Sequence, residues 1–291
     1  MALLFGIFFG PQGWERLFRT AGLGDIASQA DGSPFLFHVL DVGKADALLL
    51  ECEGHFMLVD GGTVDQGVNV CRYLEKNRIT YLDYVVNTHP DKDHIGGLAD
   101  VLEEVAVGTY LSPRLPEEYL PDSVAYRNTE QVLQQEHIVR RYPAVGETFA
   151  LGSAEVQVLG PVELHEDSNN NSLVLRVTYG QTRFLLMGDA ERDEEYSLME
   201  RGIDLSADVL KVGHHGSNTS SSPAFLKQVS PEYAVIPVGE SQHNLPKKEA
   251  LDRLRQAGIS TWRTDQHGTV IFTSDGEEIA VFTEKGASPA A

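Results

Sequence analysis

Four side chains of metal-ligand type occur within six consecutive positions of this chain. They are His89, Asp91, Asp93 and His94. An apolar run at residues 84–86 precedes them and apolar residues at helical spacing follow at 95–105, which predicts a turn between a strand and a helix. On such a turn, imidazole nitrogens and carboxylate oxygens can converge on divalent ions. A polar turn with Asp93 as the helix cap is the alternative, but a cap needs only one carboxylate.

Three other strand-like apolar runs also end in polar side chains with glycine beside them. These side chains are Asp60, Asp189 and the pair His214 and His215. Taken singly, Asp60 fits a turn and Asp189 fits a helix cap. Taken with the first motif, they predict a site of carboxylates and imidazoles without ligand-spaced thiols. Such a site suits Zn²⁺ or Mn²⁺ and argues against an iron–sulfur or cysteine-zinc centre.

Divalent ions at such a site predict hydrolytic chemistry, because they acidify water and polarise a carbonyl or phosphoryl oxygen. Asp93 can orient the attacking water, and a histidine that is not a ligand can protonate the leaving group. The run Asn169-Asn170-Asn171-Ser172 could supply an amide ligand or substrate contacts, although a polar turn is the favoured interpretation.

The composition bounds the partners of the protein. The 291 residues are 42% hydrophobic with no apolar run near the ~20 residues of a membrane helix, which predicts a soluble globular chain without a transmembrane span. The 23 basic and 43 acidic residues give a net charge of −20, so no strong nucleic-acid-binding surface is expected.

Strand-like runs alternate with helical patterns from residue 35 onward, which predicts an α/β domain over residues 35–284 with one continuous core. We interpret residues 1–34 as an N-terminal extension or linker and residues 285–291 as a tail. The apolar start, residues 1–9, lacks a preceding basic residue. A truncated export segment, a surface helix and a misplaced start all remain open for it. Residues 111–145 are predicted to form a lid or side wall over the site.

An ordered series of motifs resembles the metallo-β-lactamase fold superfamily, and within it the ComEC-type group, which includes the hydrolase domain of a competence DNA-internalisation protein. In order, the motifs are Leu40-Asp41-Val42-Gly43 with Asp46-Ala47, Val59-Asp60-Gly61-Gly62, the turn at 88–97, Asn170-Asn171-Ser172-Leu173, Gly188-Asp189-Ala190-Glu191, His214-His215-Gly216-Ser217, and Arg263-Thr264-Asp265 before Gly268-Thr269. The series covers about residues 35–282. The resemblance implies a four-layered αββα sandwich with a metal site along one edge.

The resemblance also implies two divalent metal ions, Zn or Mn. By this resemblance, the ligands of the first ion would be His89 and Asp91. Those of the second ion would be Asp93, His94 and His215, and Asp189 would bridge the two ions. His214 is then the candidate acid or substrate contact, beside Asp93 as the second catalytic candidate. Asn171 and Ser217 are the candidates for substrate binding.

The chain departs from the pattern of the group at several positions. Many superfamily members carry histidine where Asp91 stands, and the third histidine expected for the first ion is replaced by the asparagine run, so the first site is expected to be weak. Lys44 and Ala45 replace the usual Gln-Gly. Leu245 stands where relatives often carry histidine, with His243 nearby in a different register.

These observations favour a phosphodiesterase or nuclease, with single-stranded DNA as one phosphodiester substrate. The alternatives are hydrolysis of another ester or amide, such as a cell-wall phosphocholine ester or a lactam, and a binding module without catalysis. Because stand-alone relatives often look secreted, we expect an extracellular or cell-surface location rather than a cytoplasmic one.

Overall fold

The strands of this protein form two mixed sheets. A computed structural model describes residue 30 and residues 32–239, 245–286 and 288–289. In spatial order, the first sheet contains β15 (Ile279–Thr283), β14 (Val270–Ser274), β1 (Phe35–Val39), β2 (Leu48–Cys52), β3 (His55–Val59), β4 (Tyr81–Val86), β5 (Ala106–Leu111) and β6 (Val139–Arg141). The second contains β13 (Ser260–Arg263), β12 (Tyr233–Ile236), β11 (Val209–Lys211), β10 (Thr182–Leu186), β9 (Val174–Tyr179), β8 (Ala154–Gly160) and β7 (Thr148–Leu151).

Each sheet has a parallel part, and these parts determine where the polar turns meet. Strands β3 to β6 pair in parallel in the first sheet, and β10 to β13 do so in the second. Parallel strands place their carboxyl ends along one edge of a sheet. The polar residues after β3, β4, β10 and β11 therefore come from the carboxyl ends of parallel strands in both sheets.

The alternation of apolar side chains explains why the two sheets face each other. In β1, Phe35 and Phe37 contribute to the core between the sheets, whereas Leu36 packs in a separate cluster on the outer face. In β10, Phe184 lies in the inter-sheet core and Leu185 in the outer cluster. Successive strand side chains point to opposite faces, so a strand that is buried on both faces becomes apolar throughout. Phe37 and Phe184 meet edge-on across the core, with ring centroids 5.8 Å apart.

Helices cover the outer face of each sheet. The described helices are α1 (Gly67–Lys76), α2 (Lys92–Ile95), α3 (Leu98–Glu104), α4 (Val124–Gln135), α5 (Arg192–Glu200), α6 (Pro223–Val229), α7 (Lys248–Gln256) and α8 (Thr264–His267). Short 3-10 helices lie at Val64–Gln66, Glu117–Tyr119, Asn169–Asn171 and Gly213–Gly216. Buried residues of α1, α3 and α4 pack on the first sheet, and those of α5, α6 and α7 pack on the second. The predicted four-layered αββα sandwich is confirmed.

The helix predicted after the metal-ligand turn is divided into two, α2 and α3, by Gly96 and Gly97. A Cβ atom on Gly97 would lie 2.2 Å from the carbonyl oxygen of Gly61, and one on Gly96 would lie 2.5 Å from the backbone nitrogen of Val64. The turn after β3 thus packs so closely against the turn after β4 that only glycine fits. The apolar spacing spans the break, which is why the sequence pattern predicted one continuous helix.

Residues 111–145 contain helix α4 and strand β6, joined by irregular segments. Helix α4 begins at a Ser123 cap, whose hydroxyl accepts a hydrogen bond from the backbone nitrogen of Tyr126 at 3.1 Å. Strand β6 then pairs in parallel with β5 and forms the edge of the first sheet. Within the described residues, no helix is both long and apolar enough to cross a membrane. The apolar start at residues 1–9 and His243 lie outside the described residues.

Candidate metal centre

The polar turns that follow β3, β4, β10 and β11 meet at one place. The backbone nitrogen of Gly61 donates to the carbonyl oxygen of His94 at 2.8 Å, which joins the first two turns. The backbone nitrogen of His214 donates to the carbonyl oxygen of Gly188 at 3.3 Å, which joins the other two. Side chains far apart in the sequence are therefore brought to one centre.

Three histidines of this centre are fully buried, and each is held through its Nδ1 atom. The Nδ1 of His94 lies 2.8 Å from an oxygen of Asp60. The Nδ1 of His215 lies 2.8 Å from the carbonyl oxygen of the first residue after β12. The Nδ1 of His89 lies 3.2 and 3.3 Å from two hydroxyl groups, those of Thr88 and Ser172. These contacts fix the orientation of every ring.

The opposite ring nitrogens are buried and unpartnered. Among the described residues, the Nε2 atoms of His89, His94 and His215 have no hydrogen-bond partner. Two of them lie 3.2 Å (His94) and 3.6 Å (His215) from one oxygen of Asp189. One potential ligand atom from each of His89, His94 and Asp189 lies within 4.8 Å of the others. Burying a polar atom without a partner is costly, and metal-ligating histidines are held in this way through their second nitrogen. The donor set therefore fits divalent metal ions bound through Nε2.

Asp93 joins a second ligand group on the other side of His94. One ligand atom from each of Asp93, His94 and His215 lies within 4.8 Å of the others, and the Asp93 carboxylate is 3.7 Å from the Nε2 of His215. The ammonium group of Lys44 lies 2.5 Å from the same carboxylate oxygen. Lys44 is one of the departures noted in the sequence, and it makes direct contact with a predicted ligand.

Asp91 occupies a more open position than the other predicted ligands. Its side chain is 41% exposed, and one carboxylate oxygen lies 3.8 Å from the Nε2 of His89. The other oxygen accepts a hydrogen bond from the hydroxyl of Ser168 at 2.8 Å. The His89 side of the centre therefore has fewer buried ligand atoms than the His94 side.

His214 lies beside the buried cluster rather than in it. Its side chain is 24% exposed; its Nδ1 is 2.6 Å from a carboxylate oxygen of Glu191, and its Nε2 is 4.0 Å from Asp189. His214 and His215 are consecutive residues with left-handed backbone angles, φ +47° and +48°. Such strained conformations concentrate at functional sites. The strained turn aims one histidine into the cluster and leaves the other at the solvent-accessible rim.

The carboxylates make the centre strongly attractive to cations. Burial alone would lower the pKa of His94, but the carboxylates of Asp189 and Asp60 raise it well above its usual value. Burial and the neighbouring His94 charge lower the pKa of His89 to about 4, so this imidazole is neutral and can bind a metal ion. Burial would raise the pKa of Asp189, but the charges of His94 and His215 hold it well below its usual range.

The asparagine run lies against the centre with each residue in a different position. Asn171 is fully buried; its amide nitrogen donates to two carbonyl oxygens, and its amide oxygen accepts from the backbone nitrogen of His165. The amide oxygen of Asn170 accepts from backbone nitrogens at the start of α5. Asn169 reaches the centre, with its amide nitrogen 3.4 Å from the Nδ1 of His214.

Ser217, the other candidate for substrate binding, contacts a neighbouring residue. The hydroxyl of Ser217 lies 2.7 Å from that of Thr219.

Sequence reasoning missed several residues that support the centre. Asp46 and Lys211 form a fully buried ion pair, and Glu191 pairs with His214. Lys211 stands in the middle of the apolar run 209–212, and an unpaired lysine is almost never fully buried. A lysine within an apolar strand therefore indicates a buried carboxylate partner. Asp46 and Glu191 both lie in the ordered motifs, but nothing in the sequence indicates that they pair with Lys211 and His214.

Two proteins related in sequence align over most of this chain. The chain is 29% identical over 257 residues to ComE operon protein 3 of Bacillus subtilis (strain 168), covering 80% of this chain and 32% of that protein. It is 34% identical over 238 residues to competence protein ComA of Neisseria gonorrhoeae, covering 80% of this chain and 31% of that protein. The chain thus spans about a third of the length of these relatives.

A solved structure shares the fold. CmlA, a diiron beta-hydroxylase from Streptomyces venezuelae, superposes with a TM-score of 0.58 at 14% identity, covering 91% of this chain and 60% of that one. At this identity the likeness concerns the fold alone.

Residues 40–240, more than half of the chain, match the family described as the metallo-beta-lactamase superfamily. The chain therefore belongs to the metallo-β-lactamase superfamily, as its motifs indicated, and its relatives in sequence are of the ComEC type.

Proposed function

We propose that this protein is a metal-dependent hydrolase that cleaves phosphodiester bonds. One observation carries the proposal: three buried imidazoles, each held through Nδ1, turn unpartnered Nε2 atoms toward the carboxylate of Asp189. The superfamily consists mostly of metal-dependent hydrolases, which supports the same conclusion. In this proposal residues 35–284 are the hydrolase domain, residues 1–34 an extension or linker and residues 285–291 a tail.

The ligand groups described above are proposed to hold two divalent ions, Zn²⁺ or Mn²⁺. His89, Asp91 and Asp189 would hold the first, and Asp93, His94 and His215 the second, with Asp189 shared. When bound, such ions lower the pKa of water and polarise a phosphoryl oxygen. The exposed Asp91 is the reason to expect the first ion to bind more weakly.

Asp93 is proposed to orient the attacking water. Burial alone would raise the pKa of Asp93, but His215, His94 and Lys44 hold it below its usual range, so the side chain is an ionised acceptor. Lys44 keeps its ammonium group at this carboxylate, with about a quarter of its side chain still exposed. It therefore adds positive charge at the position where an anionic phosphodiester would approach.

His214 is proposed to protonate the leaving group. Burial would lower the pKa of His214, but the hydrogen bond with Glu191 and the charge of Asp189 raise it above its usual value. The raised pKa favours the protonated imidazole, and the partly exposed side chain gives it access to a leaving group. Glu191 acts through His214 as a positioning residue. Asn169, rather than the buried Asn171, contacts His214 and is the better candidate for a substrate contact from the asparagine run.

Single-stranded DNA is the proposed substrate among phosphodiesters. The relative named competence protein ComA supports a substrate related to nucleic acid. The net charge of −20 disfavours tight binding of a duplex through its backbone, because that affinity comes largely from basic side chains that neutralise phosphates. A single strand also exposes its bases, which can stack on aromatic side chains beside a local patch of positive charge.

The experiment that tests the proposal compares substrates on the metal-depleted and metal-reloaded 291-residue chain. We expect Mn²⁺ or Zn²⁺ to restore cleavage of bis(p-nitrophenyl) phosphate and of a single-stranded oligonucleotide. A phosphocholine ester and a cephalosporin should be turned over far more slowly. Turnover of either of these in preference to both phosphodiesters would overturn the proposed substrate class. No metal-stimulated turnover of any substrate would overturn the proposal as a whole.

A further inference from the structure

A polar pocket lies directly beside the metal-ligand turn. It has a volume of about 200 Å³ and is bounded by that turn, the end of β5, helix α4 and β6. Pro90, between the predicted ligands His89 and Asp91, forms part of its wall. The volume is below the roughly 300–1,000 Å³ of sites for drug-sized ligands, so it suits a single ring system. A group in the pocket would adjoin the metal centre.

The pocket contains buried polar atoms that lack partners. Tyr110 is 1% exposed and lines the pocket, and its hydroxyl has no hydrogen-bond partner among the described residues. The Nε atom of Arg140, which also lines the pocket, is buried and has no hydrogen-bond partner among the described residues. Burial raises the pKa of Tyr110, so its phenol remains a hydrogen-bond donor. Because leaving a buried donor unsatisfied is unfavourable, these atoms indicate a ligand that brings acceptors.

Two guanidinium groups lie near a tyrosine ring in the lining of the pocket. The guanidinium carbon of Arg114 lies 5.0 Å from the ring centroid of Tyr142, and that of Arg140 lies 6.0 Å from it. Tyr142 is 42% exposed, so the residue is accessible from solvent. Tyrosine and arginine side chains are the groups on which nucleobases stack in proteins that bind single strands.

The lining of the pocket is positively charged, whereas the whole protein is negatively charged. Its lining carries Arg114 and Arg140 but only one acid, Glu130, which pairs with Arg140. The chain as a whole has a net charge of −20. A local excess of positive charge, a partly exposed tyrosine and unpartnered donors together match a nucleotide.

We propose that this pocket binds one nucleotide unit of the substrate, with its base stacked on Tyr142 and hydrogen-bonded by Tyr110. Arg114 then contacts the adjoining phosphate. This inference rests on the proposed phosphodiesterase function, because it assigns the pocket to the nucleotide beside the scissile bond. Tyr110 and Tyr142 thereby become residues that select nucleic acid over other phosphodiesters.

The test measures binding by calorimetry to the full chain loaded with Zn²⁺, using thymidine 5′-monophosphate, thymidine and deoxyribose 5-phosphate as probes. We expect the monophosphate to bind at least about tenfold more tightly than deoxyribose 5-phosphate, because only the former can stack. Tyr142→Ala and Tyr110→Phe should each weaken binding of the monophosphate about tenfold and leave deoxyribose 5-phosphate unchanged. Tyr196→Phe, on the exposed surface of α5, is the matched control and should change neither.

Thermal unfolding shows whether the variants fold, and Tyr110→Phe should unfold at the same temperature as the wild type or higher because it removes an unpartnered hydroxyl. Equal binding of the monophosphate and deoxyribose 5-phosphate would overturn the inference. So would monophosphate binding that is unaffected in both pocket variants. Turnover of bis(p-nitrophenyl) phosphate, measured in parallel, separates the two proposals. If bis(p-nitrophenyl) phosphate is cleaved but the monophosphate binds no more tightly than deoxyribose 5-phosphate, the pocket assignment fails and the proposed function stands.

Discussion

Lys211 and Asp46 form an ion pair with no solvent exposure directly behind the histidine cluster. The ammonium group also donates to the carbonyl oxygen of Gly188 at 2.7 Å, one residue before Asp189. On the other side, an oxygen of Asp46 lies 3.5 Å from the Nδ1 of His215. The pair therefore links the first sheet to the turn that carries the shared carboxylate, and it balances charge beneath the metal centre.

Lys211→Met should lower the free energy of unfolding by about 3–5 kcal/mol, because it leaves the Asp46 carboxylate buried and unpaired. Adding Asp46→Asn should recover most of this loss, since the double variant has no unpaired charge. Urea denaturation of the two single variants, the double variant and the wild type measures the coupling. Strictly additive losses would contradict the ion pair as the source of the effect.

Asp60→Asn should weaken metal binding while leaving the fold intact. Asp60 holds the Nδ1 of His94 at 2.8 Å and also accepts from the backbone nitrogen of Thr88 at 2.8 Å. Loss of such an orienting carboxylate typically costs 10–100-fold in metal affinity, which competition with a fluorescent Zn²⁺ chelator can measure. Asp83→Asn is the matched control, because Asp83 likewise accepts from a histidine and a backbone nitrogen on the same sheet. Equal affinities of the Asp60 and Asp83 variants would contradict a role for Asp60 in orienting His94.

His214→Gln should slow hydrolysis in a way that depends on the leaving group. An alkoxide leaving group needs protonation, whereas p-nitrophenolate leaves without it, so the loss should be about 10²–10⁴-fold with a dinucleotide and much smaller with bis(p-nitrophenyl) phosphate. Glu191→Gln should show the same pattern to a lesser extent. His165→Gln, which alters an imidazole–carboxylate pair with Glu194, is the control and should leave the leaving-group dependence unchanged. Equal losses on both substrates would rule out His214 as the acid.

Glu194 should make the folded state less stable as the pH rises. Burial raises the pKa of Glu194 from 4.5 to about 7, although hydrogen bonds from His165 and the backbone of Val162 partly oppose the shift. Between these values the folded state binds more protons than the unfolded state, so stability falls as pH rises from about 5 to 7. The fully expressed effect is at most about 3 kcal/mol. The urea midpoint should drop between pH 5 and pH 8 in the wild type and drop less in Glu194→Gln; identical drops would contradict this assignment.

The metal-ligand turns were predictable from sequence because each follows an apolar strand and is marked by glycine. The periodicity of apolar residues also predicted layers of strands covered by helices. Neither property depends on contacts between distant segments. The αββα order itself followed from the resemblance, since local patterns contain no information on which strands pair.

The contacts that support the ligands were not predictable in the same way. No local pattern joins Lys211 to Asp46, since the pair forms only when the two sheets pack together. Histidine is found more often than most residues in the left-handed region, but two consecutive left-handed histidines, as at 214 and 215, are not predictable from that preference. Among the three asparagines, only the fold distinguishes Asn169 at the centre from the buried Asn171.

Metal content of the 291-residue chain, together with turnover of bis(p-nitrophenyl) phosphate, tests the central claim most directly. After chelation and dialysis against Zn²⁺ or Mn²⁺, the wild type should bind one ion tightly and a second more weakly. Asp189→Ala should lose at least one ion and nearly all turnover, whereas Asp122→Ala, at a side chain that is 95% exposed, should behave as the wild type. Metal-dependent turnover at the wild-type rate with unchanged metal content in Asp189→Ala would contradict the account.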